Sequence, residues 1–397
     1  MAMSVDAQML DSMRQQGDAL ADAAIAQAFE AGAVARINDL LAGLRRNGDP
    51  IPADLPPLVR EYFADTAALP EWADRAAIDR GAELWGRYGP HMASILHGYS
   101  LPVCYGWAKA AQVLYRTTRI HTKATRRVLE TTQFLQDAMV DGGLLAPDGY
   151  GLRSAQKIRL LHATIRYFLR TSNDWDTDTL GLAVNQEDLA ATMGTFSVCL
   201  PRGLVTLGVD LPEQDRDDCF HVWSVVAHLI GVDPRLMPHT FAEATRLTDL
   251  IWTRQTAASQ AGRVLTAALV QSMRNVCGPL LHGAPPTLIR YLSGDRLADL
   301  LAVPPADWTT LALQGSTGLS DRLRHDRLRE GQGLLPAGVD EERRRLPNDR
   351  PAPVRRRHAD GPQAHRRRQP ARCDLRLPSR HLVLPAQRPP PVAASPR

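Results

Sequence analysis

Apolar residues recur at helical spacing along most of the chain. Between Ile25 and Leu44 they lie three or four positions apart, which predicts one or two amphipathic helices within residues 1–50. From Leu58 to about Leu311, similar apolar runs alternate with short turns rich in Pro, Gly and Asp. Runs of short alternating strands are not found. The pattern therefore predicts an all-α bundle.

The apolar periodicity disappears after about Gly315. Residues 336–397 hold 12 of the 29 prolines, together with blocks of three consecutive arginines. Residues 315–397 carry 19 arginines against 9 acidic residues, a net charge of +10, so the rest of this +4 chain carries about −6. This composition cannot bury a core, which predicts a disordered basic tail or a tail replaced through a frameshift. Nucleic-acid binders carry their basic patch on a folded face, so nucleic acid is not an expected partner.

Cysteine usage and the N-terminus indicate the compartment. The five cysteines are scattered without a C-x-x-C pair, which is typical of free thiols in a reducing environment. The N-terminus lacks the basic stretch and apolar run of a secretory signal, and no segment reaches the ~18 apolar residues of a membrane helix. We expect a cytoplasmic protein without an integral membrane segment. Its predicted parts are N-terminal helices (1–50), a folded domain (58–314) and the tail (315–397).

One predicted helix, over residues 157–169, places an imidazole beside an apolar stripe. His162 lies at the edge of this stripe, and Arg159 and Arg166 flank it further round. A haem needs such an arrangement, because its ring is buried, its iron takes a neutral nitrogen ligand and its propionates bind arginine. The same pattern also fits an ordinary half-buried histidine. The stripe consists of Ile158, Leu161, Ile165, Phe168 and Leu169.

Two further helices carry candidate residues. Arg127 and Thr131 are four positions apart, so they share a helix face, from which they could orient dioxygen or substrate in an apolar pocket. A solvated arginine and a surface threonine fit that spacing as well. His221 and His228 are seven apart but lack the spacing and the carboxylates of a helical metal site. We interpret these two histidines as core or propionate contacts.

Taken in order, these segments resemble the catalytic domain of the MpaB and rubber oxygenase family, over residues 58 to about 310. The matching segments are 58–63 (LVREYF), 70–72 (PEW), Arg127 with Thr131, 159–163 (RLLHA) with Arg166, 185–189 (NQEDL), 196–197 (FS), Trp223, 229–232 (LIGV), 291–294 (YLSG) and 297–301 (LADLL).

The resemblance implies a globin-like multi-helix bundle around a haem b pocket. It implies that His162 is the iron ligand and that Arg127 and Thr131 line the opposite, distal side. The implied chemistry is dioxygen-dependent cleavage of an isoprenoid carbon–carbon double bond, with dioxygen and a small hydrophobic substrate as partners. The expected cofactor contacts are Arg159, Arg166 and His228.

Two positions depart from the rubber-cleaving members. Glu130 stands where those enzymes have a lysine, and Gln112 stands near the place of an acid that is proposed as a base. We therefore predict a smaller intracellular lipid or terpenoid as the substrate. The alternatives are a helical haem or lipid carrier without turnover, an inactive protein with a scrambled tail and, last, a non-haem metal hydrolase.

Overall fold

The computed structural model describes residues 5–117, 124–171, 175–277 and 279–306, which form helices joined by short turns. Within these ranges, β-type pairing is limited to an isolated antiparallel bridge between Trp107 and Thr256. The all-α prediction is confirmed for these residues, whereas the predicted tail lies outside them. Of the helices described, none is long and apolar enough to cross a bilayer.

Polar side chains at the N-termini explain where several helices begin. Asp18 accepts a hydrogen bond from the backbone N–H of Ala21, and Asn185 accepts one from the backbone N–H of Asp188 at 2.9 Å. Such caps satisfy amides that have no partner inside the helix. The helices are α1 (Ala7–Met13), α2 (Ala19–Glu30), α3 (Val34–Gly43), α4 (Pro57–Asp65), α5 (Arg75–Ile95), α6 (Leu101–Gly106), α7 (Ala110–Thr117), α8 (Ala124–Met139), α9 (Gly151–Thr171), α10 (Thr177–Leu180), α11 (Gln186–Ser197), α12 (Cys199–Thr206), α13 (Glu213–Leu229), α14 (Phe241–Gln255), α15 (Gln260–Cys277), α16 (Ala284–Ser293) and α17 (Asp295–Leu300).

Two hydrophobic clusters make up most of the interior. The larger one surrounds Trp107 and Trp223 and draws side chains from α5, α6, α8, α11, α13 and α15. The smaller one joins α2, α3 and α4 to Leu160 and Ala163 of α9. Because Ala155 of α9 belongs to the larger cluster, this helix connects the two. Both clusters therefore determine the position of α9.

In helix α9 most of the apolar stripe is half-buried, although its last residue, Leu169, is buried. Ile158, Leu161 and Ile165 of the predicted stripe are only half-buried, whereas Leu160 and Ala163 are fully buried. The reason is that α2 packs against α9 and covers the face between these positions. The half-buried stripe leaves an apolar surface along α9.

Asn47, in the turn after α3, fastens the start of α9 to the loop before it. Its Oδ1 atom accepts from the backbone N–H of Leu152 at 3.0 Å. Its Nδ2 group donates to the carbonyls of Gly143 and Ala146 at 2.9 and 2.8 Å. One side chain thus satisfies backbone groups on both sides of the α8–α9 connection, and it determines where α9 begins.

A π-helical turn, Leu96–Ser100, connects α5 to α6. From this turn His97 reaches α8, where its Nε2 atom lies 2.9 Å from Oγ1 of Thr132. Because the Thr132 hydroxyl donates to the carbonyl of Val128, its oxygen is the acceptor and the imidazole is the donor. Burial lowers the pKa of His97 to about 4, so the ring is neutral at pH 7.

The first prediction concerns Asn47. Asn47→Ala removes four side-chain hydrogen bonds and takes the acceptor from the amides of Leu152 and Arg153, whereas the carbonyls of Gly143 and Ala146 keep backbone donors. We therefore expect the free energy of unfolding to fall by about 2 kcal/mol. Urea titration at pH 7 measures the change. Asn275→Ala is the control, because Asn275 is exposed and bonds only to Gln271 on its own helix. Equal stability of the two variants would contradict the role of Asn47.

The second prediction concerns acid sensitivity. The unfolded chain protonates His97 near pH 6.5, whereas the folded protein keeps it neutral down to about pH 4. The contribution of neutral His97 to the free energy of unfolding is therefore fully present above pH 6.5 and is lost as the pH falls toward 4. Between pH 7 and 5 it accounts for a loss of about 2 kcal/mol. In urea titrations, the free energy of unfolding of His97→Gln should fall by about 2 kcal/mol less than that of the wild type between pH 7 and 5. Replacing exposed His239 should leave the pH dependence of the wild type unchanged. An unchanged pH dependence in His97→Gln would refute the prediction.

Candidate functional site

His162 lies in the middle of α9 and is half-buried. Its Nδ1 atom is buried and has no hydrogen-bond partner among the residues that the structure describes. Burial, followed by the positive charges of Arg166 and Arg127, lowers the pKa of His162 to about 3. The imidazole is therefore neutral at pH 7 and keeps a nitrogen lone pair, which is the form that binds a metal ion.

Arg127 and Thr131 lie on α8, which packs against α9. The Thr131 hydroxyl donates to the carbonyl of Arg127 at 3.0 Å, so its oxygen remains available as an acceptor. Burial lowers the pKa of Arg127, and the negative charge of Glu130 opposes that shift. Since Arg127 also acts electrostatically on His162, the structure brings these two predicted residues into one region.

Arg159 and Arg166 each bind a carboxylate from the N-terminal region. Asp18 accepts from Nε and Nη2 of Arg159 at 2.6 and 2.9 Å. Asp22 accepts from Nε of Arg166 at 2.8 Å, and the carbonyl of Val184 accepts from Nη1 at 2.9 Å. The Nη2 atom of Arg166 is buried and has no partner within the described ranges. Arg166 therefore keeps a donor that can bind an anionic group.

His228 is exposed on α13, at the side of the site where Arg159 lies. Partial desolvation, together with the charge of Arg159, lowers the pKa of His228. The ring of His228 lies 6.0 Å from that of Trp72, and the ring of His221 lies 5.9 Å from it. Nε2 of His221 accepts from the backbone N–H of Asp74 at 2.8 Å. The two histidines thus flank an indole, and no group of three or more His, Cys, Asp or Glu in the described part of the chain could hold a metal ion.

Two clefts open near these helices. The first lies beside Arg166 and is formed by α2, α9 and the segment around α10. The second lies between α11, α13 and α14 and contains Trp223, and neither cleft is lined by His162. The first cleft combines guanidinium groups with aromatic rings, which suits a ligand with an anionic group and an apolar body. It is lined by Asp22, Ala163, Arg166, Tyr167, Arg170, Trp175, Thr177, Leu182 and Ala183.

The two positions that depart from the rubber-cleaving pattern lie apart from each other. Glu130 is exposed and binds Arg126 at 2.7 Å on its own helix. Gln112 is half-buried on α7, and its amide donates to the carbonyl of Ala108 at 3.5 Å, a long hydrogen bond. An amide cannot accept and release a proton as a carboxylate does. The side chain at 112 can therefore orient a neighbour but cannot serve as a base.

Sequence reasoning missed three residues that hold the arginines in place. Asp18 and Asp22 supply the carboxylates, and the ring of Tyr62 lies 5.9 Å from the guanidinium of Arg159, with its hydroxyl donating to the carbonyl of Gln156. The cap position of Asp18 is visible in the sequence. Its pairing with a residue 141 positions away has no local signal.

Comparisons with known proteins agree with this architecture. Residues 92–346 match the family model described as "ER-bound oxygenase mpaB/B'/Rubber oxygenase, catalytic domain". The rubber oxygenase of Streptomyces sp. (strain K30) is 25% identical over 288 residues, which cover 72% of this chain and 70% of that protein. The solved structure of latex clearing protein in the closed state has a TM-score of 0.70 and 24% identity, and the alignment covers 86% of this chain and 89% of that one.

The structural likeness supports the helical fold, and the sequence match supports an enzyme of the oxidoreductase class. The family match covers well over half of the chain and includes α8, α9, α11 and α13, on which most of the candidate residues lie. The chain therefore belongs to the MpaB and rubber oxygenase family of oxygenases.

Proposed function

We propose that this protein is a haem b-dependent oxygenase that acts with dioxygen on a hydrophobic alkene, an isoprenoid or a lipid. The observation that carries the proposal is the neutral imidazole of His162, which has a buried ring nitrogen without a protein partner and two guanidinium groups nearby. Membership of an oxygenase family supports the reaction class. The substrate class follows the name of the rubber oxygenase relative.

The residues around His162 fit a haem. A porphyrin brings four nitrogen donors of its own, so one neutral imidazole is enough to hold its iron. The half-buried side chains of Ile158, Leu161 and Ile165 offer an apolar surface for the ring. The unpartnered Nη2 atom of Arg166 offers a donor for a propionate. Arg159 and His228, which are close enough to interact electrostatically, are the further contacts that we propose. When bound, the iron would supply the redox chemistry with dioxygen.

The chain's own residues orient the reactants and stabilise charge. The guanidinium of Arg127 is desolvated, so it would interact strongly with an anionic group in the pocket. Thr131, one turn further along α8, would help to orient dioxygen by turning its hydroxyl away from the carbonyl of Arg127 and donating that hydrogen into the pocket. By the resemblance, Glu130 stands where the rubber-cleaving enzymes have a lysine and Gln112 stands near the place of their acid, which supports a smaller lipid or terpenoid as the substrate. The cytoplasmic location and the exclusion of nucleic acid remain predictions.

The third prediction tests the cofactor. Purified full-length protein, expressed with haem supplied, should show a Soret absorption band, and His162→Ala should abolish it because the iron loses its protein ligand. The measurement is an ultraviolet–visible spectrum at equal protein concentration. His239→Ala, at an exposed position on the turn before α14, should keep the band. A colourless wild-type protein would contradict haem dependence.

The fourth prediction separates an oxygenase from a carrier. With a panel of isoprenoids and unsaturated lipids, the wild-type protein should consume dioxygen, and Arg127→Ala should lower the rate about 100-fold while haem content is retained. Arg126→Ala is the control, because Arg126 is the neighbouring arginine and binds exposed Glu130. Haem binding without dioxygen uptake on any alkene would favour the non-catalytic carrier, which the glutamine at 112 and the glutamate at 130 also favour.

A further inference from the structure

The two arginines on either side of His162 are held by carboxylates from the N-terminal region. Asp18, the N-cap of α2, binds two nitrogens of Arg159, and Asp22, in the first turn of α2, binds one nitrogen of Arg166. In the first pair the side chains of Asp18 and Arg159 are 5% and 14% exposed, whereas in the second Arg166 is 7% and Asp22 is 38% exposed. Solvent therefore screens the first pair weakly, and the second pair is buried on its arginine side only.

Two glycines, which have no side chain, make room for these ion pairs. A Cβ atom on Gly231 would lie 2.5 Å from Oδ2 of Asp18 and 2.6 Å from Nε of Arg159. A Cβ atom on Gly17 would lie 2.7 Å from Oδ2 of Asp22. The backbone therefore approaches both pairs so closely that a side chain at either glycine would displace them. Gly231 also has a φ of +85°, a conformation that favours glycine.

The pairs leave part of each guanidinium unused. Asp22 and the carbonyl of Val184 hold Nε and Nη1 of Arg166, so Nη2 remains as a buried donor in a defined direction. Asp18 holds Nε and Nη2 of Arg159, whose guanidinium also lies 5.9 Å from the ring of Tyr62. Each arginine is thus oriented by a carboxylate that does not consume all of its donors.

We propose that Asp18 and Asp22 are positioning residues for the cofactor, which hold Arg159 and Arg166 so that their remaining N–H groups bind the porphyrin carboxylates. This inference rests on the haem-dependent function proposed above. Both aspartates precede residue 92, where the family match begins. On this proposal, the N-terminal helices form part of the cofactor site although they lie outside the matched residues. Residues that hydrogen-bond to metal-binding side chains typically change metal affinity by about 10- to 100-fold when they are mutated. We expect a similar effect on haem affinity when a residue that orients a propionate-binding arginine is changed.

The fifth prediction compares two matched variants of the full chain. Asp18→Asn keeps an oxygen for the helix cap but removes the charge that holds Arg159. Asp218→Asn breaks a pair of the same geometry, in which Arg80 donates through Nε and Nη2 at 2.8 Å each to a buried carboxylate, although Arg80 itself is more exposed than Arg159. Both variants should lose stability in urea titrations. Only Asp18→Asn should lose haem faster, by about tenfold, when haem transfer to excess apomyoglobin is followed by absorbance.

Two further measurements keep the test independent of a folding defect. The midpoint potential of bound haem should rise in Asp18→Asn, because loss of a negative charge near the iron favours the ferrous state, and should stay unchanged in Asp218→Asn. Gly17→Ala should also speed haem loss, because its methyl group pushes Asp22 away from Arg166 without changing any charge.

The outcomes separate this inference from the proposed function. A wild-type protein that takes up no haem would overturn the haem-dependent function itself. If the wild type binds haem but Asp18→Asn and Asp218→Asn lose it equally fast, with the same potential, the positioning role is wrong. Slower haem loss from Asp18→Asn would also overturn it, because the carboxylate would then compete with the porphyrin.

Discussion

A buried guanidinium must find acceptors, and this requirement organises the N-terminal half of the protein. A charged group that leaves water loses several kcal/mol unless oxygen atoms replace its hydration shell. Arg14 meets Glu187 and Asp188 at 2.9 and 3.0 Å, and so fastens the end of α1 to the start of α11. Arg159 and Arg166 meet the carboxylates of α2 in the same way. The same pairs that hold the N-terminal helices against the core also orient the candidate site.

The site follows from the position of α9 between two hydrophobic clusters. One cluster covers Leu160 and Ala163 and leaves the stripe of Ile158 and Leu161 half-buried, next to His162. The imidazole of His162 is therefore desolvated and neutral, and its Nδ1 atom has no hydrogen-bond partner among the described residues. This combination supports a metal ligand better than a core histidine, because a core histidine of this burial has its ring nitrogens hydrogen-bonded.

The sequence predicted the helices and the individual candidate residues, but it did not predict which side chains surround those residues. The spacing of Arg127 and Thr131 placed them on one face of α8, and the structure keeps them there and brings Arg127 near His162. The apolar stripe of α9 was placed beside His162, and the structure leaves most of it half-buried because helix α2 covers the neighbouring face with Leu160 and Ala163. Amphipathic periodicity identifies a helix, but the partner helix decides which of its faces is buried.

The sequence by itself determined the all-α class, the shared helix face of Arg127 and Thr131 and the family, because helical periodicity and ordered motifs are carried by neighbouring residues. Only the tertiary structure decided that Asp18 binds Arg159 and that Gly231 must lack a side chain for that pair to fit. These contacts join residues more than 140 positions apart or depend on a close approach of the backbone. Neither the long-range ion pair nor the close backbone approach produces a pattern in the sequence, since the free energy that favours them arises from packing between helices that are distant in the chain.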